Sequence, residues 1–341
     1  MKQRDNTLDI IRLLACIMVV MMHSPLPTSD ANGPFLASMS FFTAPCIGLF
    51  FMVSGALLLP IKTDYFTFLR HRFGKIAVPT IVWSLIYIAL RLYYSESEIN
   101  VLQSVASIPF SPQGEGVLWF MYTLCGLYLL APILSGWLEQ ARKREIQFVL
   151  ILWAVTLCFP LLRLWFSIND SDTGPLYYFG GYAGYFLLGY YLKRFPDSIS
   201  VWICGAIALL GTVLLFATKK YGLNIDFYSV FWYLSIFVAA LCATYWLTIY
   251  KLRSHLTSNR LNANTGVLCL ISNLSFGIYL VHILVMRYWL WHLEWILGIP
   301  NYIIQTIVIT VITFIISTAI CFILAKLPVG KYLIGYSIKK K

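Results

Sequence analysis

The sequence predicts an all-α protein, a polytopic bundle of about ten transmembrane helices with both termini in the cytoplasm. The 341-residue chain is 60% hydrophobic and 11% charged, with a mean hydropathy of +0.77, whereas soluble domains carry about 25% charged residues. Apolar runs of about 17 to 25 residues, enough to cross a bilayer, recur along nearly the whole chain. These properties exclude a soluble enzyme and a disordered chain, and the continuous runs argue against a transmembrane barrel.

Ten apolar runs follow one another along the chain, and an even number puts both ends on one side of the membrane. The first and sixth runs are short and the ninth is rich in polar residues, so the accepted range is eight to eleven spans. No repeat or appended soluble segment interrupts them, and residues 1–341 are expected to form a single domain. The predicted spans are Leu8–His23, Met39–Pro60, Ile76–Tyr94, Val117–Gly136, Ile146–Leu162, Leu176–Leu192, Ser198–Ala217, Phe227–Tyr250, Gly266–Trp289 and Tyr302–Ala325.

The distribution of Lys and Arg sets the orientation, because short loops rich in these residues stay in the cytoplasm. With a cytoplasmic N-terminus, nineteen of the 25 basic residues lie on the cytoplasmic side, five lie outside and Arg12 lies within a span. Insertion alone thus explains most of the net charge of +11, and no nucleic-acid partner is indicated. The five outer residues are Arg91, Arg163, Lys219, Lys220 and Arg287.

The first span carries three ionisable residues, Asp9, Arg12 and His23. Such residues cost several kcal/mol inside a membrane unless they are paired or reach water, so they are functional candidates. Arg12 and His23 are eleven residues apart, which places them on one helix face roughly 16 Å apart along the axis. Asp9, three residues before Arg12, is placed to orient its guanidinium. Two simpler alternatives stay open: Arg12 reaching lipid headgroups, and His23 as an ordinary interfacial histidine.

The cysteines give no sign of redox or metal chemistry. All eight lie in apolar runs, and no two have the spacing of a metal site or a redox motif. They are interpreted as small buried hydrophobic residues, and no metal site is predicted.

Five segments follow one another along the chain: Leu8–Arg12 with Ala15–His23, Phe50–Gly55, Arg70 and Arg72 with Pro79, Leu118–Phe120, and Ser275–His282. In this order they resemble the acyltransferase-3 family of integral membrane acyltransferases. The resemblance covers nearly the whole chain, and its most specific parts are the Arg12 to His23 spacing and the Ser275–His282 segment. Leu13 departs from the pattern, since many members have Gly there, which puts close helix packing at that point in doubt.

The resemblance implies transfer of an acyl group, usually acetyl, from cytoplasmic acyl-CoA to a glycan hydroxyl at or beyond the membrane. The expectation is a bacterial O-acetyltransferase of the cell (cytoplasmic) membrane, acting on a surface polysaccharide or a lipid-linked saccharide. Acetyl-CoA is expected as co-substrate, with no permanently bound cofactor, and a homo-oligomer is left open. Arg12 suits the CoA phosphates and His23 a general base, and an acyl-histidine intermediate is the alternative to direct transfer.

The predicted ninth span adds two catalytic candidates. His282 falls in the outer half of its span, on the same side as His23, as a second base or a group that orients the acceptor. Tyr279 shares its face and is a candidate donor to the developing oxyanion. The competing interpretations are a core histidine bonded to a neighbouring carbonyl and a tyrosine that only packs.

Two further groups are candidate binding residues. Arg70, Arg72 and Lys75 form a basic cluster suited to the CoA phosphates, although the positive-inside bias alone predicts such a cluster. At the opposite interface Glu115, Trp119 and Phe120 precede or open the fourth span and are candidates for binding the acceptor sugar. An aromatic belt and a solvated carboxylate are the simpler alternatives.

Three other functions compete with acyl transfer. A transporter or flippase of lipid-linked saccharides shares the bundle and the outer aromatic residues, but such proteins tend to show paired halves with charges near the midplane. A polymerase or ligase using a lipid diphosphate donor favours outer cations, of which only five are found. A sensor or scaffold leaves both histidines replaceable. Label transfer from acetyl-CoA to glycans separates all four.

Overall fold

The computed structural model describes residues 6–27, 33–94, 100–166, 174–256 and 265–338, which form helices and no strands. The all-α fold class is therefore confirmed. Six of the basic residues predicted on the cytoplasmic side lie outside the described residues: Lys2, Arg4, Arg260, Lys339, Lys340 and Lys341. The α-helices are α1 (Asn6–His23), α2 (Pro34–Thr43), α3 (Pro45–Leu58), α4 (Tyr65–Tyr94), α5 (Val101–Ser107), α6 (Trp119–Gln140), α7 (Lys143–Trp165), α8 (Ala183–Arg194), α9 (Val201–Tyr221), α10 (Phe227–Val230), α11 (Ile236–Leu256), α12 (Thr265–Arg287), α13 (Glu294–Leu297), α14 (Tyr302–Lys326) and α15 (Gly330–Ile334).

Nine segments among the described residues are helical, long and apolar enough to cross a bilayer. The multi-pass architecture is thus as predicted, with local differences. The second predicted span consists of two helices, α2 and α3, that meet at Ala44, where the ring of Pro45 starts a new helix because proline has no N–H to donate. The eighth predicted span begins nine residues later than predicted, since the non-helical segment 231–235 separates α10 from α11.

The sixth predicted span is a 12-residue helix, α8, preceded by a 3-10 turn at Tyr177–Phe179. Residues 184–192 are all buried, so α8 is enclosed by protein and does not have to match the bilayer thickness. Glycines let it cross α3 at backbone contact. A methyl group on Gly55 would lie 1.8 Å from Phe186 O, and one on Gly189 would lie 1.9 Å from Met52 O. Small residues at such crossings are typical of membrane helix packing.

Helix α1 lies near the centre of the bundle, where it packs against α3, α12 and α14. Ile11, Ala15 and Val20 on α1 are completely enclosed. Fewer than a third of the residues in the apolar stretches of the outer helices α7, α9 and α14 are buried, as expected of helices in contact with lipid. The ionisable residues of α1 therefore face protein on several sides.

Several basic residues that were assigned to the cytoplasm lie together at one end of the bundle, where Arg72 lines one cavity with Lys75 and a second with Lys62, Lys193 and Arg194. Lys193 Nζ donates to Ala56 O at 2.8 Å, which ties the end of α8 to the end of α3. The segment after α15 returns to this end, where Gly335 lies against the carbonyl of Lys75. Because Arg12 and Gly335 line one cavity, the beginning of α1 and the last described residues lie at the same end. This arrangement agrees with both termini on one side of the membrane.

Candidate functional site

Two histidines from distant parts of the sequence meet near the outer end of the bundle. His23 is the last residue of α1 and His282 lies on α12, and their ring centroids are 5.2 Å apart with the planes inclined by 58°. His282 is completely buried, and His23 is half-buried. The helix packing of α1 against α12 is what brings the two imidazoles together.

Backbone carbonyls orient both imidazole rings. His23 Nδ1 lies 2.8 Å from Val19 O, and His282 Nδ1 lies 2.6 Å from Tyr279 O. A neutral ring that donates its Nδ1–H in this way keeps the lone pair on Nε2, the atom a general base uses. His282 Nε2 is buried without a hydrogen-bond partner among the described residues. Buried polar atoms are normally paired, so an unpaired ring nitrogen here fits a group that awaits a substrate.

At the other end of α1, a serine of α12 links Asp9 and Arg12. Ser272 Oγ donates to Asp9 Oδ1 at 2.6 Å and accepts from Arg12 Nη1 at 3.4 Å. Asp9 is buried, although it lies in the first turn of α1. The two hydrogen bonds connect Asp9 with Arg12 through Ser272, and the orienting role of Asp9 stays a prediction.

The guanidinium of Arg12 lines a cavity of about 210 Å³ among α1, α3, α4, α6 and α12. Arg72 and Lys75 line it too, so three cationic side chains share one chamber. Ser54, Tyr128 and Asn273 add polar groups to its wall. A chamber with this charge suits an anion with several phosphate oxygens.

Arg70 takes no part in this cavity. It is exposed and does not line the chamber, whereas Arg72 lines it from the same helix. Residues two apart on a helix point about 200° away from each other, while Arg72 and Lys75, three apart, share a face. Of the predicted basic cluster, the structure brings Arg72 and Lys75 together with Arg12 and leaves Arg70 outside.

The cavity extends to Phe120 and Tyr279. Neither His23 nor His282 is among the described residues that line it. The ring of Tyr279 packs 5.6 Å from that of His282 and 5.2 Å from that of Phe120, so these two aromatic rings separate the basic chamber from the histidines. The Tyr279 hydroxyl donates a hydrogen bond to Val117 O and so anchors the chain just before α6 begins. Its predicted role as an oxyanion donor requires that bond to open.

Glu115 forms an ion pair with Arg287, one of the five basic residues that the sequence predicts on the outer side of the membrane. Arg287 Nη1 and Glu115 Oε2 are 2.8 Å apart, and the Tyr288 hydroxyl donates to Glu115 Oε1 at 2.9 Å. The Arg287 side chain is 37% exposed and that of Glu115 10%. Arg287 lies five residues after His282 on α12. The spacing can be read from the sequence, but only the structure shows that Arg287 pairs with Glu115.

Trp119 and Phe120 point to different places. Phe120 is buried against Phe51, with centroids 4.9 Å apart, and faces the cavity. Trp119 is half-buried and packs against Tyr182 and Tyr233, with ring centroids 5.3 and 5.5 Å away and the planes tilted by 40° and 37°. The Tyr233 hydroxyl in turn points at Met22 Sδ, 3.6 Å away and adjacent to His23. Trp119 therefore belongs to an aromatic cluster beside the histidines rather than to an exposed belt.

The eight cysteines are free thiols. Within the five described ranges, no group of three His, Cys, Asp or Glu side chains is close enough to hold a metal ion. The arrangement thus consists of a basic chamber on one side, a histidine pair on the other and two aromatic rings in between.

The comparisons with known proteins identify a family. A family model described as an acyltransferase domain, that of the acyltransferase-3 family, matches residues 5–326. That range holds every residue discussed in this section. The chain matches no curated protein and no solved structure.

Proposed function

Because the chain belongs to the acyltransferase-3 family and is a multi-pass membrane acyltransferase, we propose that it is an O-acetyltransferase of a bacterial cell membrane. The donor is cytoplasmic acetyl-CoA, and the acceptor is a hydroxyl of a surface polysaccharide or of its lipid-linked precursor. His23 is the general base. The observation that carries the proposal is that one helix, α1, joins the basic chamber to the histidine pair.

The basic chamber supports the choice of acyl-CoA as donor. CoA is polyanionic at its nucleotide end, and Arg12, Arg72 and Lys75 supply three positive charges at the cytoplasmic end of the bundle. Charge-assisted hydrogen bonds from arginine to phosphate are strong and directional. The axial separation of Arg12 and His23, roughly 16 Å, is on the scale of the extended pantetheine arm. The nucleotide therefore stays at the basic end while the thioester reaches toward the histidines.

Entry of the thioester requires the aromatic partition to open. Phe120 and Tyr279 close the chamber on the side of His282. Rotation of the Phe120 ring, or release of the Tyr279 hydroxyl from Val117 O, joins the two compartments. A partition of this kind keeps water from the thioester until an acceptor is present.

The histidine pair supports direct transfer. His23 Nε2 takes the proton of the acceptor hydroxyl as its oxygen attacks the thioester carbonyl and forms the new ester bond. The carbon–sulfur bond then breaks, and the protonated imidazole returns its proton to the departing CoA thiolate. His282, with its ring beside His23, orients the acceptor hydroxyl through its unpaired Nε2. In the alternative route His23 attacks first and becomes acylated.

The proposal is tested with the full chain in lipid nanodiscs, radiolabelled acetyl-CoA and candidate glycans. The expected result is label in the glycan for the wild type and a transfer rate at least about 100-fold lower for His23→Ala. His292→Ala serves as the matched control, because that histidine is exposed on the outer side and lies beside Tyr94 rather than the pair. Full activity of His23→Ala would contradict the assigned base, and label that stays on CoA with every glycan would contradict acyl transfer, as expected for a flippase. Acid-quenched samples that hold labelled His23 indicate the acyl-enzyme route.

A further inference from the structure

Two cavities other than the basic chamber follow each other along α7. The outer one has a volume of about 740 Å³ and is lined by the end of α7, the 174–181 segment and the 228–234 segment. The inner one, about 380 Å³, is a groove among α7, α8, α9 and α11. We call them the outer cavity and the lipid-facing groove.

The two cavities are neighbours along α7, although no described residue lines both. Ala154 lines the groove and Leu157, one turn further along α7, lines the outer cavity. Trp153 lines the groove, and its indole N–H donates to the carbonyl of Gly181, a residue of the outer cavity, at 2.9 Å. A long molecule that occupies both cavities therefore passes the indole of Trp153.

The walls of the two cavities have different chemistry. The groove is lined almost entirely by apolar side chains and is widened by small residues, among them Ala154, Ala240 and Ala243. The outer cavity holds the cation of Arg163 and the aromatic side chains of Tyr177 and Tyr228, which are 52% and 69% exposed. Aromatic faces suit sugar rings, and a guanidinium suits a phosphate.

The outer cavity also adjoins the aromatic cluster beside the histidines. Gly181 and Leu234 line the cavity, and their chain neighbours Tyr182 and Tyr233 both pack against Trp119. Tyr233 contacts Met22, the neighbour of His23. Neighbouring residues thus connect the outer cavity with the predicted base.

We propose that the outer cavity and the lipid-facing groove together bind the acceptor as a lipid-linked saccharide, with its isoprenoid chain in the groove and its phosphate and sugar in the outer cavity. The proposal rests on the proposed function and chooses between its two acceptor classes. Arg163 complements the charge of an anionic lipid carrier, and the neighbouring groove suits its apolar chain. A free polysaccharide has no apolar chain to fill the groove, so the lipid-linked acceptor is favoured.

Binding is tested with a polyprenyl phosphate that carries a photoreactive diazirine on its chain, and with the full chain in phosphatidylcholine nanodiscs. Cross-links are expected in α7 and α11. Ala154→Phe fills the groove and is expected to lower the cross-linking yield at least about fivefold. Val155→Phe, which adds the same ring on the exposed face of the same helix, is the matched control and should stay within about twofold.

The charge of the outer cavity is tested in the same assay. Arg163→Gln is expected to weaken cross-linking of the polyprenyl phosphate but not of the neutral polyprenol, whereas Lys220→Gln, an outer cation that lines neither cavity, changes neither. Equal yields for Ala154→Phe and Val155→Phe would overturn the proposal. So would competition by phosphatidylglycerol as effective as that by unlabelled polyprenyl phosphate, because the groove would then hold any anionic lipid.

The same preparations are assayed for acyl transfer, so that failure of one proposal can be distinguished from failure of the other. A wild type that cross-links as expected but transfers label to no glycan contradicts the proposed function alone. A wild type that acylates a glycan, with cross-linking unaffected in Ala154→Phe and Arg163→Gln, contradicts the lipid-linked acceptor alone.

Discussion

The imidazole rings of His23 and His282 lie 5.2 Å apart, although the two residues stand near opposite ends of the chain. Each ring is held by a carbonyl of its own helix, so the pair is built from two rigid elements rather than from a loop. When two groups act on the same proton transfer, the effects of their removal on the rate are expected to be strongly non-additive.

Replacement of His282 tests whether the pair works as a unit. We expect His282→Ala to lower kcat by about 10- to 1,000-fold with little change in KM for acetyl-CoA. The double variant with His23→Ala should then be no slower than His23→Ala alone. Steady-state kinetics on the four proteins measures this cycle, and independent, multiplicative losses would speak against a shared role.

Arg12 is expected to act on the phosphates of the donor. Arg12→Ala should raise KM for acetyl-CoA by about 10- to 100-fold, the loss of one or two charge-assisted hydrogen bonds, with a smaller effect on kcat. The same variant should use acetyl-pantetheine, which has no phosphates, as well as the wild type does. An equal loss of activity with both donors would indicate that Arg12 stabilises the fold rather than binding the phosphates.

Substitutions of Arg72 and Arg70 are expected to have different effects on KM for acetyl-CoA. Arg72→Ala removes a cation from the chamber and should raise KM for acetyl-CoA about tenfold, whereas Arg70→Ala, exposed and outside the chamber, should change it less than about twofold. Both variants lower the cytoplasmic charge by one, which controls for orientation in the membrane. A larger effect at Arg70 would contradict the chamber as the phosphate site.

The ion pair of Arg287 with Glu115 is expected to contribute to stability. Arg287→Gln leaves the nearly buried carboxylate of Glu115 without its cation and should cost about 1 to 2 kcal/mol, a value reduced because Arg287 is 37% exposed. The double variant with Glu115→Gln should recover part of that loss. Thermal unfolding in detergent gives the comparison, and a double variant at least as unstable as the sum of the single ones would contradict the pairing.

The crossing of α3 and α8 predicts a strict requirement for glycine. Gly55→Ala should destabilise the protein by several kcal/mol or prevent its folding, since the new methyl group meets the backbone oxygen of Phe186. Gly126→Ala on α6, with no atom within 4 Å of the added methyl, is the control and should be neutral or slightly stabilising. Expression level and melting temperature distinguish the two, and equal values would rule out the close crossing.

Much of the fold follows from properties that are local along the chain. Hydropathy located the long helices because a span needs a continuous apolar run, and the loop charges set the orientation. The boundaries of α8 and α11 were beyond such reasoning. A short helix enclosed by protein, such as α8, has the same apolar composition as one that faces lipid, so composition does not distinguish them.

By itself, the sequence determined a helical membrane bundle and an Arg12 and His23 on one face of its first helix, because composition and the helical repeat act over a few turns. Only the tertiary structure decided that His282 faces His23, that Ser272 links Asp9 to Arg12, and that two aromatic rings separate the chamber from the histidines. These relationships join helices far apart in the chain, and they depend on how the side chains of α1 and α12 pack, which no local pattern records.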